Sequence, residues 1–472
     1  MMSVPSEGST ASPLSLTPFE EYMLCDDRPD YPMTGFFRLR FSERLAVPEL
    51  ESAIQTAVER HPLLRSKVFG RGQARPRWVT EKAASIALEQ WSSEADGEYP
   101  PASPIDLTRS IGLRIWLVDR TGANDLVVQA HHACTDATGL CQLIEDILLA
   151  YAANVGVAGR DAVFRVVDNT RLPDRNRFGL TWKKLLRMIP GLTAGLHVVA
   201  KFFLRKAASL APQFSGQAPA HATGTFPSPQ TFDFDCADTA RIKSGARERR
   251  VTVNDLLARD LFLALQVWRT THGIVEIRSW LRFFVPINQR TVDDGTRSAA
   301  NIMSAVFLDR NPRQMADPET LLQSIHAEMQ MVKRWQLGFL FIAAMSALSR
   351  FPRLRQQIIQ CDECAPTCVF SNIGVILGNT PLPRQDGRIA IGDLLLKGVD
   401  FIAPLRPKTV AAFCVYTYAG RLSVNLHSDP RAISPEQADD LLERYVGQIR
   451  DSLHDCATDV ATPGTVSAFQ HS

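Results

Sequence analysis

The chain has little excess charge of either sign and lacks the signatures of several large protein classes. Among its 472 residues, 52 are Lys or Arg and 50 are Asp or Glu, so the formal net charge is +2 at pH 7. This balance, together with the lack of a zinc-finger pattern or a long Lys/Arg run, argues against a nucleic-acid-binding protein. There is also no Gly-rich phosphate loop, dinucleotide fingerprint or G-x-S-x-G elbow. Phosphoryl transfer, hydride transfer and serine hydrolysis therefore lose their usual sequence support.

Long apolar runs and an export signal are missing as well. The longest apolar runs, such as residues 338–348, are shorter than the roughly 20 residues that a membrane-spanning helix needs. Residues 1–13 are polar and rich in Ser and Pro, which is not a signal-peptide pattern, and we expect them to be disordered. These features predict a cytoplasmic protein, with peripheral attachment to a membrane as an alternative.

Cysteine is sparse, and its spacing does not complete a metal site. Three of the nine cysteines, Cys361, Cys364 and Cys368, form a C-x2-C-x3-C cluster. A structural zinc site needs a fourth ligand, and none lies nearby in the sequence. We therefore predict no bound metal and interpret the cysteines as reduced thiols.

The length exceeds what one hydrophobic core usually supports, so we predict two lobes. Strands and helices alternate in both halves, which predicts an α/β fold made of α+β sandwich lobes. The predicted boundaries are an N-terminal lobe at 14–172, a basic amphipathic segment and linker at 173–230, a C-terminal lobe at 231–456 and a flexible tail at 457–472.

The segment between the predicted lobes is basic. No acidic residue occurs from Arg175 to Phe232, and eight Lys or Arg residues lie between Arg175 and Lys206, interleaved with apolar side chains. One interpretation is a helical hairpin that connects the lobes and has a solvated basic side. The other is a surface, residues 175–206, that binds an anionic membrane or an acyl-carrier protein.

The dipeptide His131-His132, followed by Asp136, lies between two predicted elements. Residues 126–130 form an apolar run typical of a buried strand, and apolar residues from 140 to 151 repeat at helical spacing. Side chains alternate along a strand, so the two imidazoles are expected to face opposite sides. The sequence therefore predicts one structural histidine and one presented to a cleft, where a neutral imidazole can accept a proton near pH 7.

This motif resembles the His-His-x-x-x-Asp-Gly signature of the chloramphenicol acetyltransferase-like, CoA-dependent acyltransferase superfamily. That superfamily includes alcohol acetyltransferases, polyketide-associated acyltransferases and the condensation domains of peptide synthetases. Further segments resemble its landmarks in the expected order, and the resemblance covers roughly residues 14–453. These segments are 61–65, 111–118, 126–139, 252–255, 286–290, 301 and 371–374. The resemblance implies two similar lobes that form a V, with the active site at their junction.

The resemblance also implies roles for individual residues. His132 corresponds to the general base and His131 to the inward-facing histidine, while Asp136 corresponds to the aspartate that shapes the turn through an ion pair, for which Arg290 is the candidate partner. The motif's glycine is Ala137 here, with Gly139 two residues further on. An alanine adds backbone strain if that position needs a positive φ, and its methyl group narrows the gap if the acyl donor passes there.

The candidate contacts for the oxyanion or substrate are Asn301, Asn372 and the backbone amides of residues 137–139. Cys134 is interpreted as a spacer in the turn. The resemblance implies no metal and no permanently bound cofactor.

The resulting hypothesis is an acyltransferase that uses acyl-CoA or a phosphopantetheine thioester as co-substrate and a small-molecule alcohol or amine as acceptor, with O-acyl transfer favoured. The alternatives are a carrier-protein-dependent, amide-forming condensation enzyme and a catalytically silent binding member of the same fold.

Overall fold

The computed structural model describes most of the chain. The described residues are 14–71, 76–81, 85–94, 100, 103–157, 164–178, 186, 191–211, 229–274, 280–360 and 365–458. Residues 1–13, the Cys361–Cys364 pair of the cysteine cluster, the central part of the predicted linker and residues 459–472 lie outside them. The lobe boundaries predicted above stay predictions.

The first part of the described chain alternates short strands with three helices. In order, these elements are β1 (Leu14–Ser15), α1 (Pro18–Asp26), β2 (Thr34–Phe41), α2 (Val47–Glu59), β3 (Ser66–Phe69), β4 (Arg77–Thr80), β5 (Leu88–Ser92), β6 (Leu113–Arg120), β7 (Ala123–His131) and α3 (Ala137–Asn154). Short 3-10 helices occur at Pro62–Arg65 and Asn169–Asp174.

The second part begins with a helix in the predicted basic segment. It comprises α4 (Leu192–Leu204), β8 (Gln230–Asp233), α5 (Cys236–Glu248), α6 (Val253–Thr271), β9 (Leu281–Asn288), β10 (Met303–Arg310), α7 (Pro318–Arg334), α8 (Gly338–Ser349), α9 (Pro352–Gln360), β11 (Cys368–Val375), β12 (Arg384–Gln385), β13 (Arg388–Ile391), β14 (Leu394–Ile402), β15 (Ala411–Tyr418), β16 (Arg421–Ser428) and α10 (Pro435–Thr458). A 3-10 helix spans Val292–Thr296.

Several helix starts follow from local sequence. Thr252 and Asp255 form a capping box at the start of α6, in which each side chain accepts from the other's backbone N–H. Ser434 and Gln437 form the same reciprocal pair ahead of α10. These bonds satisfy amide groups that the first helical turn leaves unpaired.

Two large mixed sheets build the molecule. The first has the strand order β12-β13-β14-β2-β7-β6-β5, and the second has the order β10-β9-β11-β15-β16-β8. Helices α2 and α3 pack together on the first sheet, and α6 and α10 pack together on the second. Each sheet has its own large buried apolar cluster. The structure confirms the predicted α/β class and two-lobed organisation.

Three strands from late in the chain belong to the first sheet. β14 pairs antiparallel with β2, and β13 and β12 follow it outward, although all three lie within the range 231–456 predicted for the C-terminal lobe. Asp400 is fully buried there and accepts a hydrogen bond from Arg38 Nε at 2.5 Å. Apolar periodicity identifies a strand without showing which sheet edge it joins, so the pairing of β14 with β2 could not be predicted from the sequence.

Candidate active site

The histidine dipeptide lies at the end of β7, as predicted. This strand ends at His131 and α3 begins at Ala137, so residues 132–136 form a short connecting turn. The backbone N–H of His131 donates to the Gly112 carbonyl at 2.9 Å, and that of His132 donates to the Met33 carbonyl at 2.7 Å. Neighbouring segments on both sides therefore fix where the turn leaves the sheet.

The His132 imidazole is half-buried and has a defined tautomer. Its Nδ1 lies 3.0 Å from the Thr135 carbonyl oxygen, which can only accept a hydrogen bond, so Nδ1 carries the hydrogen. The Nε2 lone pair is then the basic one. Burial lowers the pKa of His132, against a smaller opposing effect of hydrogen bonds and the Asp136 charge, so the ring is neutral at pH 7. This arrangement suits a proton acceptor.

The His131 imidazole points the other way and is fully buried. Its Nδ1 accepts a hydrogen bond from the backbone N–H of Ala133 at 3.1 Å. Its Nε2 lies 3.5 Å from Asp27 Oδ2. The two adjacent rings thus occupy different environments, as strand alternation requires.

Asp136 organises the start of α3 and receives four hydrogen bonds. Its carboxylate accepts from the backbone N–H of Gly139 and of Ile302, both at 2.9 Å. The Arg290 guanidinium donates to both carboxylate oxygens, at 2.7 and 2.8 Å. Burial by itself would raise the pKa of Asp136, but Arg290 and these hydrogen bonds outweigh it and lower the pKa. The carboxylate therefore stays charged.

Residues 298–302, which we call the crossing segment, connect the second lobe to this turn. The side-chain amide of Asn301 donates to the backbone carbonyls of His132 and Ala133. Both amide hydrogens of Asn301 are used in these bonds, which hold the backbone of His132 in place. The predicted role of Asn301 as an oxyanion or substrate contact stays a prediction.

The motif's glycine was expected either to adopt a positive φ or to leave space for the acyl donor, and here Ala137 occupies its position. A Cβ at Gly139 would overlap Thr135 Oγ1 and lie 3.1 Å from the backbone nitrogen of Ala300, so a glycine is required there for close packing. Ala137 is the first residue of α3 and does not have a positive φ. The expected backbone strain at Ala137 is therefore absent, and the effect of its methyl group on an acyl donor stays a prediction.

The other oxyanion candidates differ in whether their N–H groups are free to donate a hydrogen bond. The amide of Gly139 is taken by Asp136. The amides of Ala137 and Thr138 belong to the first turn of α3, where the helix itself offers no acceptor. Asn372 lies in β11, and its side-chain oxygen accepts from the backbone of Gly374 at 2.9 Å. Among the contacts of the described residues, none joins Asn372 to the histidine turn.

Cys134 is an internal part of the turn. Its side chain is fully buried, and a Cβ at Gly112 would overlap its Sγ. Burial raises its pKa well above that of a free thiol, so it is protonated at neutral pH. This environment agrees with the interpretation of Cys134 as a spacer.

Sequence reasoning missed a second buried histidine at the junction. The fully buried His61 accepts a hydrogen bond from the backbone N–H of Ala299 and faces Asp146 with its other nitrogen. We had used residues 61–65 only as a family landmark. No sequence signal connects His61 with a segment that begins 237 positions later, since this contact depends on how the lobes pack.

The basic segment contains one misassigned residue. Arg175 was predicted to belong to a partner-binding surface, but it is buried and donates to both Glu20 carboxylate oxygens at 2.6 and 2.7 Å. Further along, α4 exposes apolar side chains at helical spacing, and Lys201 and Arg205 form ion pairs with Glu328 and Asp309. The exposed apolar residues are Leu196, Val199, Phe203 and Leu204. That residues 175–206 bind a carrier protein or membrane stays a prediction.

Two kinds of feature are absent from the part of the chain that the structure describes. Within the described residues, no group of three or more His, Cys, Asp or Glu side chains is arranged to hold a metal ion. Cys368, the third member of the predicted cysteine cluster, is buried at the start of β11. In the same part of the chain, no helix is both long and apolar enough to span a bilayer.

Comparisons with known proteins find relatives of low identity and clear structural similarity. No family model matches the chain. An uncharacterized protein of Mycobacterium tuberculosis, Rv2305, is 26% identical over 313 residues, which is 65% of this chain and 68% of that protein.

Similar solved structures extend over nearly the whole chain. A starter condensation domain of rhizomide synthetase RzmA, solved with C8-CoA, has a TM-score of 0.64 at 14% identity, covering 94% of this chain and 95% of that one. Polyketide synthase associated protein 5 from Mycobacterium tuberculosis has a TM-score of 0.57 at 14% identity, covering 95% and 100%. A structure of the nonribosomal peptide synthetase FmoA3 has a TM-score of 0.67 at 15% identity; it covers 96% of this chain, which spans only 46% of FmoA3.

The matches cover 94–96% of this chain and therefore include both sheets. The chain shares the two-lobed fold of peptide-synthetase condensation domains and of polyketide synthase associated protein 5, as the sequence resemblance predicted.

Proposed function

We propose that the protein is an acyltransferase that moves an acyl group from a thioester donor to an alcohol or amine acceptor. The observation that carries the proposal is the environment of His132. Its Nδ1–H is bonded to the Thr135 carbonyl, and its Nε2 is left with a basic lone pair on a half-buried ring. A base that is neutral at pH 7 and fixed by a rigid turn is suited to general-base catalysis.

In the proposed reaction, His132 Nε2 accepts the proton of the acceptor's O–H or N–H as the oxygen or nitrogen attacks the thioester carbonyl carbon. The C–S bond then breaks, and the proton passes from Nε2 to the departing thiolate. General-base catalysis contributes about 10²–10⁴-fold. Positioning and stabilisation of the oxyanion supply the remainder.

The proposed oxyanion donors are the backbone amides of Ala137 and Thr138 and, as an alternative, the Asn372 side chain. The two amides lie at the N-terminus of α3, where the partial positive charge of the helix favours an anion. Asp136, Arg290 and Asn301 support this site by fixing the turn and the first turn of the helix.

The donor is proposed to be acyl-CoA or an acylated carrier protein. The RzmA structure was solved with C8-CoA, which favours a CoA thioester as the first donor to test. O-acyl transfer is the favoured reaction, and carrier-dependent amide formation is the second candidate because condensation domains share this fold. We propose a cytoplasmic location for the protein.

The experiment is an incubation of the protein with a panel of acyl-CoA and acyl-carrier donors and alcohol and amine acceptors, with products identified by mass spectrometry. The His132→Ala variant is expected to lose transfer by about 10²–10⁴-fold while retaining the wild-type unfolding midpoint. His197→Ala, which changes an exposed histidine on α4, is the matched control and is expected to be fully active with acyl-CoA donors, which do not need the carrier-binding surface predicted at residues 175–206. Binding of donors without turnover would support the silent alternative instead, and a fully active His132→Ala variant would exclude the proposed mechanism.

A further inference from the structure

The crossing segment reaches the histidine turn only after passing a second buried histidine. His61 follows α2, and its side chain is fully buried. Its Nδ1 accepts a hydrogen bond from the backbone N–H of Ala299 at 2.9 Å, and its Nε2 lies 3.2 Å from Asp146 Oδ2. Because Nδ1 accepts, Nε2 carries the hydrogen and faces the carboxylate, so the tautomer is fixed.

Helix α3 contacts the same peptide from another side. Gly139 approaches Ala300 so closely that an added Cβ would be 3.1 Å from its backbone nitrogen. Asp146 lies seven residues further along α3, about two helical turns, and therefore on the same face as Gly139. The crossing segment is thus held between His61 and α3, and the carboxylate that orients His61 comes from that same helix.

The next residues of the crossing segment hold the candidate active site directly. The Ala300 carbonyl accepts a hydrogen bond from Arg290 at 3.0 Å. Asn301 donates to the carbonyl of His132, and the backbone N–H of Ile302 donates to Asp136 at 2.9 Å. Any displacement at residue 299 is therefore transmitted, through one to three peptide units, to the turn that carries His132.

We propose that His61, oriented by Asp146, is a positioning residue for acyl transfer. By accepting the Ala299 N–H, it fixes the position of the crossing segment, and the crossing segment in turn fixes the position of the His132 turn. The catalytic part of this inference rests on the proposed function, whereas the structural part, tested by hydrogen–deuterium exchange, does not. His61 does not contact the reacting atoms in this mechanism, and its effect passes through the backbone of residues 299–302.

The same contact makes the junction sensitive to acid. A proton on Nδ1 would place an N–H against the N–H of Ala299 and break their hydrogen bond. The charged groups that act on His61 are Asp146, Arg60 and Arg165. Burial is the largest effect and lowers the pKa of His61, and Asp146 opposes it, while both arginines add to the lowering. The ring is neutral at pH 7, and the support of the crossing segment is lost as the pH falls through its pKa.

Two substitutions distinguish the contact of His61 Nδ1 with Ala299 from the contact of its Nε2 with Asp146. An Asn side chain has its amide oxygen near the position of Nδ1, so His61→Asn retains an acceptor for Ala299 and cannot be protonated. A Gln side chain has its terminal amide near Nε2, so His61→Gln retains a donor to Asp146 but offers no acceptor to Ala299. The unfolding midpoint of each variant is measured first.

The main readout is hydrogen–deuterium exchange of the peptide that contains residues 299–302, corrected for intrinsic rates, at pH 7.5 and at a series of lower pH values down to the acid unfolding of the protein. At pH 7.5 His61→Asn is expected to exchange like the wild type, and His61→Gln faster. As the pH falls below the ordinary histidine pKa, the wild type is expected to lose protection at a higher pH than His61→Asn. Identical exchange in the wild type and His61→Gln at pH 7.5 would overturn the proposal, as would loss of protection at the same pH in the wild type and His61→Asn.

The catalytic readout uses the same variants. His61→Gln is expected to lower kcat by about 10²-fold with a smaller change in KM, while His61→Asn stays close to the wild type at pH 7.5. Equal losses in both variants would show a merely structural role and overturn the proposal. If His61→Gln does not fold, His61→Asn still decides, because loss of its activity or protection contradicts the proposed role. If the wild type transfers no acyl group, the proposed function fails while the exchange experiment still tests the support of the crossing segment.

Discussion

Arg290 and Asp136 form a bidentate ion pair across the junction of the two lobes. Both guanidinium nitrogens donate to the carboxylate, at 2.7 and 2.8 Å, and the side chains are only 11% and 6% exposed. Because the carboxylate also accepts two backbone N–H groups, no oxygen lone pair is left to orient His132. The pair shapes the turn and joins the lobes.

Asp136→Asn is expected to destabilise the protein strongly. The substitution leaves the Arg290 guanidinium without a countercharge in a buried site, which costs about 3–5 kcal/mol. The free energy of unfolding in urea measures the loss. Asp174→Asn, which breaks the exposed ion pair with Arg177, is the matched control and is expected to cost no more than about 1 kcal/mol. Equal effects of the two variants would contradict a buried role for the Asp136 pair.

Gly139→Ala is expected to disrupt the junction. The new methyl group would overlap Thr135 Oγ1 and press on Ala300, and such overpacking costs about 1–3 kcal/mol. Gly447→Ala is the control, because it lies within α10 with no atom near the added methyl group. There the substitution is expected to stabilise the helix by up to about 1 kcal/mol. Thermal unfolding of both variants checks the opposite signs, and a neutral Gly139→Ala would show that the crossing segment can move away freely.

Ala137→Gly is expected to leave the fold nearly unchanged and to raise kcat/KM for acyl donors. Ala137 has no positive φ, so glycine relieves no strain and costs at most about 1 kcal/mol at this helix start. If the acyl donor passes this position, as the family resemblance implies, removing the methyl group widens its approach. Steady-state kinetics with a series of acyl-CoA chain lengths measures the effect. Unchanged kcat/KM for every donor would show that the methyl group does not narrow the donor's approach.

The stability of the protein is expected to fall as the pH drops below about 6.5. Burial lowers the pKa values of His61, His132 and His427 in the folded state. Below the ordinary histidine pKa the unfolded chain therefore binds protons that the folded chain excludes, and each histidine contributes up to about 1.4 kcal/mol per pH unit. Urea unfolding at pH 7.5 and 5.5 measures the slope.

His427→Asn provides the control for that slope. The His427 Nδ1 lies 2.8 Å from the Ala403 carbonyl, and an Asn amide can donate in its place without titrating. The variant is expected to show a shallower dependence of unfolding free energy on pH. A wild-type stability that rises between pH 7.5 and 5.5 would contradict neutral, buried histidines.

The sequence predicted those features that depend on residues close together in the chain. The strand–turn–helix around His132 was predictable because the apolar period changes within about ten residues. The partner of Asp136 came from the family resemblance, since no local pattern relates it to Arg290. Arg175 was misassigned because its partner, Glu20, lies 155 residues earlier, and charge runs are ordinarily exposed. The contacts of Asn301 with the carbonyls of His132 and Ala133 could not be predicted, because they form only when the two lobes pack together.

The position of β14 has a consequence for how the chain folds during synthesis. Its partner strand, β2, is separated from it by about 360 residues, as the Arg38–Asp400 contact shows. On the ribosome, the edge of β2 therefore stays open while almost the entire remainder of the chain emerges. Such late closure makes folding slow, and it leaves a strand edge exposed to wrong partners in the meantime. Expressing the two halves as separate polypeptides would leave the first without a strand of its own sheet.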